Sequence, residues 1–203
     1  MTQHSAGPAM AAAKMALRRA GRQARLAAST RQPNAPSQAA AQALRTLDLA
    51  PLAIVSGYMA MPGELDPAPL LEALVRHGHR VALPVVQARN AALAFRAWHP
   101  DMALEPGVLG IPVPPASSPL VVPDVLLVPL IAFDALGRRL GQGGGFYDRT
   151  LAQRRAKGPA VVALGLAFAV QEVPEVPEEA FDERLDGIIT EAGLRWFGKE
   201  QVG

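Results

Sequence analysis

Val128-Pro129-Leu130-Ile131-Ala132-Phe133-Asp134-Ala135-Leu136-Gly137-Arg138-Arg139-Leu140-Gly141-Gln142-Gly143-Gly144-Gly145-Phe146-Tyr147-Asp148-Arg149 is a strand, a glycine-rich turn and a helix start in one stretch. Its apolar run begins at Val125, and Val125 to Ile131 reads as a short buried strand. A polar turn falls around Asp134 and Gly137, and four glycines then occupy the five positions from Gly141 to Gly145. A helix is expected from Tyr147 to about Ala156. Glycine permits positive φ and close backbone approach. A glycine loop feeding a helix leaves N–H groups unpaired at the helix start, which suits phosphate oxygens. Arg138, Arg139 and Arg149 bracket the loop with positive charge. No Gly-Lys-Ser/Thr follows, so this is not a Walker A loop. The spacing Gly141-x-Gly143-x-x-Phe146 also lacks the third glycine of a dinucleotide fingerprint. The alternative is a flexible surface turn, for which Phe146, Tyr147, Asp148 and Arg149 are costly choices.

Outward from this stretch, the chain alternates strand and helix. Residues 11–28, rich in Ala, Arg and Leu, are expected to be helical. A proline-containing loop over 30–37 leads to a second helix over 38–47, with Ser37 as its cap. Leu52 to Tyr58 reads as a buried strand followed by a loop to Glu64. Asp66 before Pro67 marks a helix start, and that helix should stop at Gly78. Strands are expected over 81–86, 93–98, 160–168 and 185–190, with a long irregular crossing segment over 103–123. This rhythm predicts βαβ units in an α/β fold, a mainly parallel open sheet flanked by helices. Residues 1–13 are expected to be a disordered tail and 14–203 a single domain.

Composition bounds the function. The 203 residues are 50% apolar, enough for a sizeable core, and contain no cysteine, which excludes disulfides and thiolate metal sites. No apolar run approaches a membrane span, and the start lacks the order of a secretory signal, so a cytoplasmic protein is expected. The net charge of +2 conceals an asymmetry: no Asp or Glu precedes Asp48, while Lys14, Arg18, Arg19, Arg22, Arg25, Arg31 and Arg45 do. A basic arm suits nucleic acid or an anionic ligand. It carries no aromatic residue to stack on bases, so a small anionic ligand is favoured. Tyr58, Met61 and Glu64 follow a strand, at the carboxyl edge of the sheet where α/β proteins bind ligands. His77, His79 and His99 have no metal-ligand spacing.

Arg139-Leu140-Gly141-x-Gly143-Gly144-Gly145-Phe146-Tyr147-Asp148-Arg149, preceded by Val128-Pro129-x-x-Ala132-Phe133-Asp134, resembles the signature of the 5-formyltetrahydrofolate cyclo-ligase family. Further matches are Lys14-x-x-x-Arg18, Tyr58-x-x-Met61-x-x-Glu64, Leu166-Ala167-Phe168-x-x-Gln171 and Asp182-x-x-Leu185-Asp186-x-Ile188-Ile189-Thr190, so the resemblance runs from about Lys14 to Thr190. It implies a three-layer, Rossmann-like fold of the coenzyme A transferase kind. It also implies conversion of 5-formyltetrahydrofolate and ATP to 5,10-methenyltetrahydrofolate, ADP and phosphate with Mg²⁺. By this resemblance Lys14, Arg18, Arg139, Gly141, Gln142, Gly143, Gly144, Gly145, Phe146, Tyr147 and Asp148 hold ATP. Tyr58, Met61, Glu64 and Tyr147 hold the folate, Asp148 meets Mg²⁺, and Arg139 and Tyr147 serve the chemistry. Three positions depart from the family pattern: Val113 stands where a Glu is common, Phe181 where a His is common, and Leu109 where an aromatic is frequent. The expected protein is a monomer acting on a small molecule, without nucleic-acid or membrane partners. A non-catalytic nucleotide- or folate-binding regulator on the same fold is the alternative, and a basic-arm RNA binder a third.

Overall fold

The computed structural model describes residues 7–157 and 161–198. Its centre is an eight-stranded sheet in the order β12-β11-β10-β7-β1-β2-β3-β6. The inner strands are β1 (Ile54–Ser56), β2 (Arg80–Val85), β7 (Val125–Pro129), β10 (Val162–Leu166) and β11 (Gly187–Thr190), all joined by parallel pairing. Strands such as Val125–Pro129 and Val162–Leu166 are apolar on both sides, as a doubly covered parallel sheet requires. Antiparallel strands form the edges: β3 (Ala94–Trp98) and β6 (Leu120–Val121) on one side, β12 (Gly193–Trp196) on the other. The expected mainly parallel α/β sheet is therefore present, with antiparallel borders.

Helices cover both faces. Helices α2 (Ala35–Thr46) and α3 (Ala68–Arg76) pack Ala39, Ala43, Leu70 and Leu74 against Val55, Leu127 and Leu164. On the opposite face α4 (Phe146–Lys157) buries Leu151 against Leu126, Val128 and Ala163. Helix α3 starts one residue later than expected, with Pro67 rather than Asp66 at its N-cap; the Asp66 carboxylate still accepts from the Ala68 N–H at 2.9 Å, and the chain leaves the helix through Gly78 at φ +84°. Gln171, buried in the short turn of helix Ala169–Gln171 that follows β10, donates to the Leu130 and Ile131 carbonyls and accepts the Phe168 N–H. It thereby satisfies the backbone where β7 gives way to the turn.

Several boundaries differ from expectation. The first helix, α1, spans Pro8–Arg31, so residues 8–13 are helical rather than part of a tail, and residues 1–6 lie outside the described ones. Pro8 suits the first helical turn because its missing N–H would be unpaired there anyway. Helix α2 starts at Ala35, with Pro36 in its first turn, and Ser37 is inside the helix rather than its cap. The segment over 103–123 contains a two-stranded ribbon, β4 (Glu105–Pro106) with β5 (Pro112–Val113), as well as β6. A second ribbon, β8 (Ala132–Phe133) with β9 (Arg139–Leu140), folds around Asp134 and presents the glycine loop. Asp134 is buried and accepts from the N–H groups of Leu136, Arg138 and Val176 and from the Arg138 guanidinium. Burial alone would raise its pKa, but these hydrogen bonds outweigh burial and hold it below the ordinary value.

Candidate active site

A cleft of about 490 Å³ opens at the carboxyl ends of β1, β2 and β7. One wall is α1, which crosses beside the β8–β9 ribbon. Gly21 permits that approach, since a Cβ there would stand 2.5 Å from the Ile131 side chain and 3.0 Å from its carbonyl oxygen. Lys14, Arg18 and Arg22 recur every fourth residue and line the cleft from this helix. The facing wall is apolar, built from Pro84, Val86, Leu93, Val108, Ile111 and Val113. Val113 thus contributes a methyl surface to this wall.

The glycine loop forms the floor. Gly143 and Gly145 have positive φ, +104° and +64°, so these two need glycine for conformation. Gly144 does not; a Cβ there would stand 2.9 Å from the Phe146 ring, and the loop packs too closely to admit it. The Arg18 Nε donates to the Gly141 carbonyl at 3.0 Å, and Arg22 Nη2 donates to the Gln142 side-chain oxygen at 3.0 Å. Of the arginines expected to bracket the loop with charge, only Arg139 lines the cleft. Arg138 is taken by Asp134 at 2.6 Å and Glu175 at 3.2 Å. Arg149 donates to the carbonyls of Gly144, Arg89 and Ala91 and lies 5.1 Å from the Phe146 ring centre, clamping the loop from behind.

Polar groups concentrate at two places. In the first, buried Arg139 donates through Nη2 to the Asp148 carboxylate at 2.6 Å, and the Glu183 N–H reaches the same oxygen at 3.2 Å. Among the described residues, the Arg139 Nη1 and the Tyr147 hydroxyl are buried without a hydrogen-bond partner. Nearby, Lys14 Nζ sits between Glu179 at 2.5 Å and Asp182 at 2.6 Å. Burial by itself would lower the Lys14 pKa, but its two carboxylate partners more than offset this and raise it. In the second place, Glu64 accepts from Arg25 at 3.0 Å and from the Met61 N–H at 2.9 Å. The Tyr58 hydroxyl donates to the Leu65 carbonyl at 2.6 Å, which fixes its ring. Burial, reinforced by the Glu64 charge, pushes both Tyr58 and Tyr147 up, so both phenols are protonated at neutral pH.

The structure therefore gathers Lys14, Arg18, Tyr58, Met61, Glu64, Arg139, Gly141, Gln142, Gly143, Gly144, Gly145, Phe146, Tyr147 and Asp148 around one cavity. Arg22, Arg25, Glu179 and Asp182 were not singled out for this site. Arg22 continues the four-residue spacing of Lys14 and Arg18 along α1, and Arg25 follows three residues later on the same side, a signal present in the sequence. Asp182 opens a motif already noted in the sequence, but only tertiary folding sets it and Glu179 on Lys14.

A cleft walled by basic side chains at the carboxyl edge of a parallel sheet, floored by a glycine loop, is the arrangement of the open-sheet α/β class. The chain belongs to the 5-formyltetrahydrofolate cyclo-ligase family, whose sequence model matches residues 10–191. The 5-formyltetrahydrofolate cyclo-ligase of Escherichia coli (strain K12) is 39% identical over 175 residues, spanning 83% of this chain and 95% of that protein. That of Haemophilus influenzae is 36% identical over 137 residues, 65% of this chain and 72% of that protein. The NMR structure of Aquifex aeolicus 5,10-methenyltetrahydrofolate synthetase matches with a TM-score of 0.76 and 26% identity, covering 94% of this chain and 95% of that one. A Mycoplasma pneumoniae synthetase shares the fold, with a TM-score of 0.67, 22% identity and coverage of 88% and 98%.

Proposed function

We propose that this chain catalyses the ATP- and Mg²⁺-dependent cyclisation of 5-formyltetrahydrofolate to 5,10-methenyltetrahydrofolate, releasing ADP and phosphate, in the cytoplasm. The observation that carries this reading is the pair of unpartnered buried donors, Arg139 Nη1 and the Tyr147 hydroxyl, between a cationic wall and an apolar one. Buried donors left without partners cost stability, and such groups are retained where a ligand completes them. The cationic wall and glycine loop suit a polyphosphate. The apolar wall, the Tyr58 ring and the Glu64 carboxylate suit a flat heterocycle with N–H donors.

In this reaction the formyl oxygen attacks the γ-phosphorus and the bond to ADP breaks. N10 then attacks the formyl carbon, phosphate leaves with the former formyl oxygen, and the N10 proton is lost. Positioning and charge neutralisation supply most of phosphoryl-transfer catalysis, and no protein nucleophile is required. Arg18 and Arg22 hold the outer phosphates, while Arg139 faces the charge that develops on the transferred group. The protonated Tyr147 donates a hydrogen bond to the phosphoryl or formyl oxygen. Lys14 joins the phosphates by exchanging them for its carboxylate partners. For Mg²⁺ the protein offers the Asp148 carboxylate, which lines the cleft. The described residues contain no cluster of three or more His, Cys, Asp or Glu able to hold a metal alone. This donor set fits an ion carried mainly by phosphate oxygens and water, where it would neutralise phosphate charge.

The test is appearance of methenyl product by absorbance, with ADP measured in parallel, from 5-formyltetrahydrofolate, ATP and Mg²⁺. One ADP per methenyl product is expected. Binding of both ligands without product would leave the regulator instead.

A further inference from the structure

Four cations share one side of α1, at Lys14, Arg18, Arg22 and Arg25, and the fourth does something different from the others. Arg25 is not among the residues that line the cleft; it lies behind Glu64. The two side chains are almost completely enclosed, with 6% and 5% exposure, and Arg25 Nη1 reaches Glu64 Oε1 at 3.0 Å. A carboxylate this buried is tolerable as an ion only when it is paired. The remaining contacts fix its direction. The Met61 N–H holds Oε2 at 2.9 Å, and the Gln142 side-chain amide approaches Oε1 at 3.4 Å. An ionised carboxylate has about four acceptor sites. Among the described residues these three partners leave one site unfilled, on Oε2, and Glu64 itself lines the cleft.

We infer that Arg25 is a positioning residue. It orients Glu64 from the rear, so that the free acceptor site of Oε2 meets the N–H groups of the heterocyclic substrate. Arg25 touches no substrate in this arrangement and contributes nothing to nucleotide binding. The inference rests on the folate reading of the Glu64 side of the cleft.

The experiment compares Arg25→Met and Arg25→Lys with the wild type by steady-state kinetics, varying each substrate at saturation of the other, with thermal melts alongside. Arg25→Met should raise KM for 5-formyltetrahydrofolate on the order of 10-fold or more, with KM for ATP unchanged. Arg25→Lys should recover part of the loss, since it restores the charge with a shorter reach. A purely structural arginine would lower the melting temperature and the active fraction and leave both KM values alone. A folded Arg25→Met protein with wild-type KM for the folate, or one in which both KM values rise together, overturns the inference. If Arg25→Met does not fold, Arg25→Lys decides by the same criterion. If the wild type makes no methenyl product, the catalytic reading fails separately. Equilibrium binding of 5-formyltetrahydrofolate to the same variants then tests Arg25, and a wild type that does not bind it overturns both.

Discussion

Gly143→Ala separates the shape of the glycine loop from its bulk. Gly143 stands at φ +104°, and a Cβ there would meet nothing closer than the Arg18 guanidinium at 3.6 Å. The added methyl group therefore fits, and the penalty is one of backbone conformation alone. Holding an L residue in such a region costs on the order of 1–3 kcal/mol. The loop is exposed, so it can shed this strain by relaxing φ. Doing so moves the Gly141 carbonyl off Arg18 and the Gln142 side chain off Arg22, which hold them at 3.0 Å each. At 1.4 kcal/mol per tenfold, the strain corresponds to a rise in KM for ATP of roughly 5- to 150-fold. Gly78→Ala is the matched control. Its φ is +84°, nothing lies within 4 Å of its Cβ, and it sits beyond α3 away from the cleft. It should lower the melting temperature and leave KM for ATP untouched. The assay is methenyl formation at saturating folate with ATP varied, paired with thermal melts. Wild-type KM for ATP in a folded Gly143→Ala protein, or an equal shift in Gly78→Ala, would refute the assignment of this loop to the phosphates.

Four further outcomes follow from the site and its scaffold. Tyr147→Phe removes a hydroxyl that has no protein partner, so melting temperature should hold or rise while kcat falls; a variant that loses stability but keeps kcat would reverse the assignment. Arg18→Ala should weaken ATP on the order of tenfold with the folate KM preserved, checked by the same two titrations. Asp148→Asn should shift the Mg²⁺ requirement upward, because a neutral amide is a poorer ligand for a hard cation; an unchanged Mg²⁺ titration argues for a purely structural partner of Arg139. Asp134 has a folded pKa below its ordinary value of 3.8, so its contribution is complete above that pH and is lost as pH falls through the folded value. Asp134→Asn should therefore be less stable at pH 7, and its melting temperature should fall less than that of the wild type on acidification below about pH 4.

The central strand and the glycine loop were legible because apolar runs and clustered glycines are local signals. Helix α3 was legible for the same reason: Asp66 and Gly78 act on their immediate neighbours. The two-residue strands over 103–123 were not, since proline- and glycine-rich chain has no intrinsic strand preference and pairs only where neighbours dictate. Strand β12 was missed because it follows β11 after a two-residue turn at Glu191 and Ala192, too short a break for a periodicity argument. The fates of Arg138 and Arg149 were equally hidden. A charge next to a glycine loop in sequence can point to either side of it, and here Asp134 and three backbone carbonyls took these two. Pairs such as Arg25 with Glu64 and Lys14 with Glu179 join residues 39 and 165 positions apart, a relation no local pattern encodes.

Those separations bear on how the chain reaches its native state. Helix α1 is made well before its partners: Lys14 waits for Glu179 and Asp182, 165 and 168 residues downstream, and Arg18 for Gly141, 123 downstream. Contacts of this span slow folding, because loop-closure entropy is spent before any of them forms. The helix itself can coil early, but its docking belongs to the final assembly of the molecule. A nucleotide bridging α1 and the glycine loop, as proposed, would act on that closing step. Its binding should therefore slow amide hydrogen exchange in α1 more than in the sheet, whose strands hold each other without it.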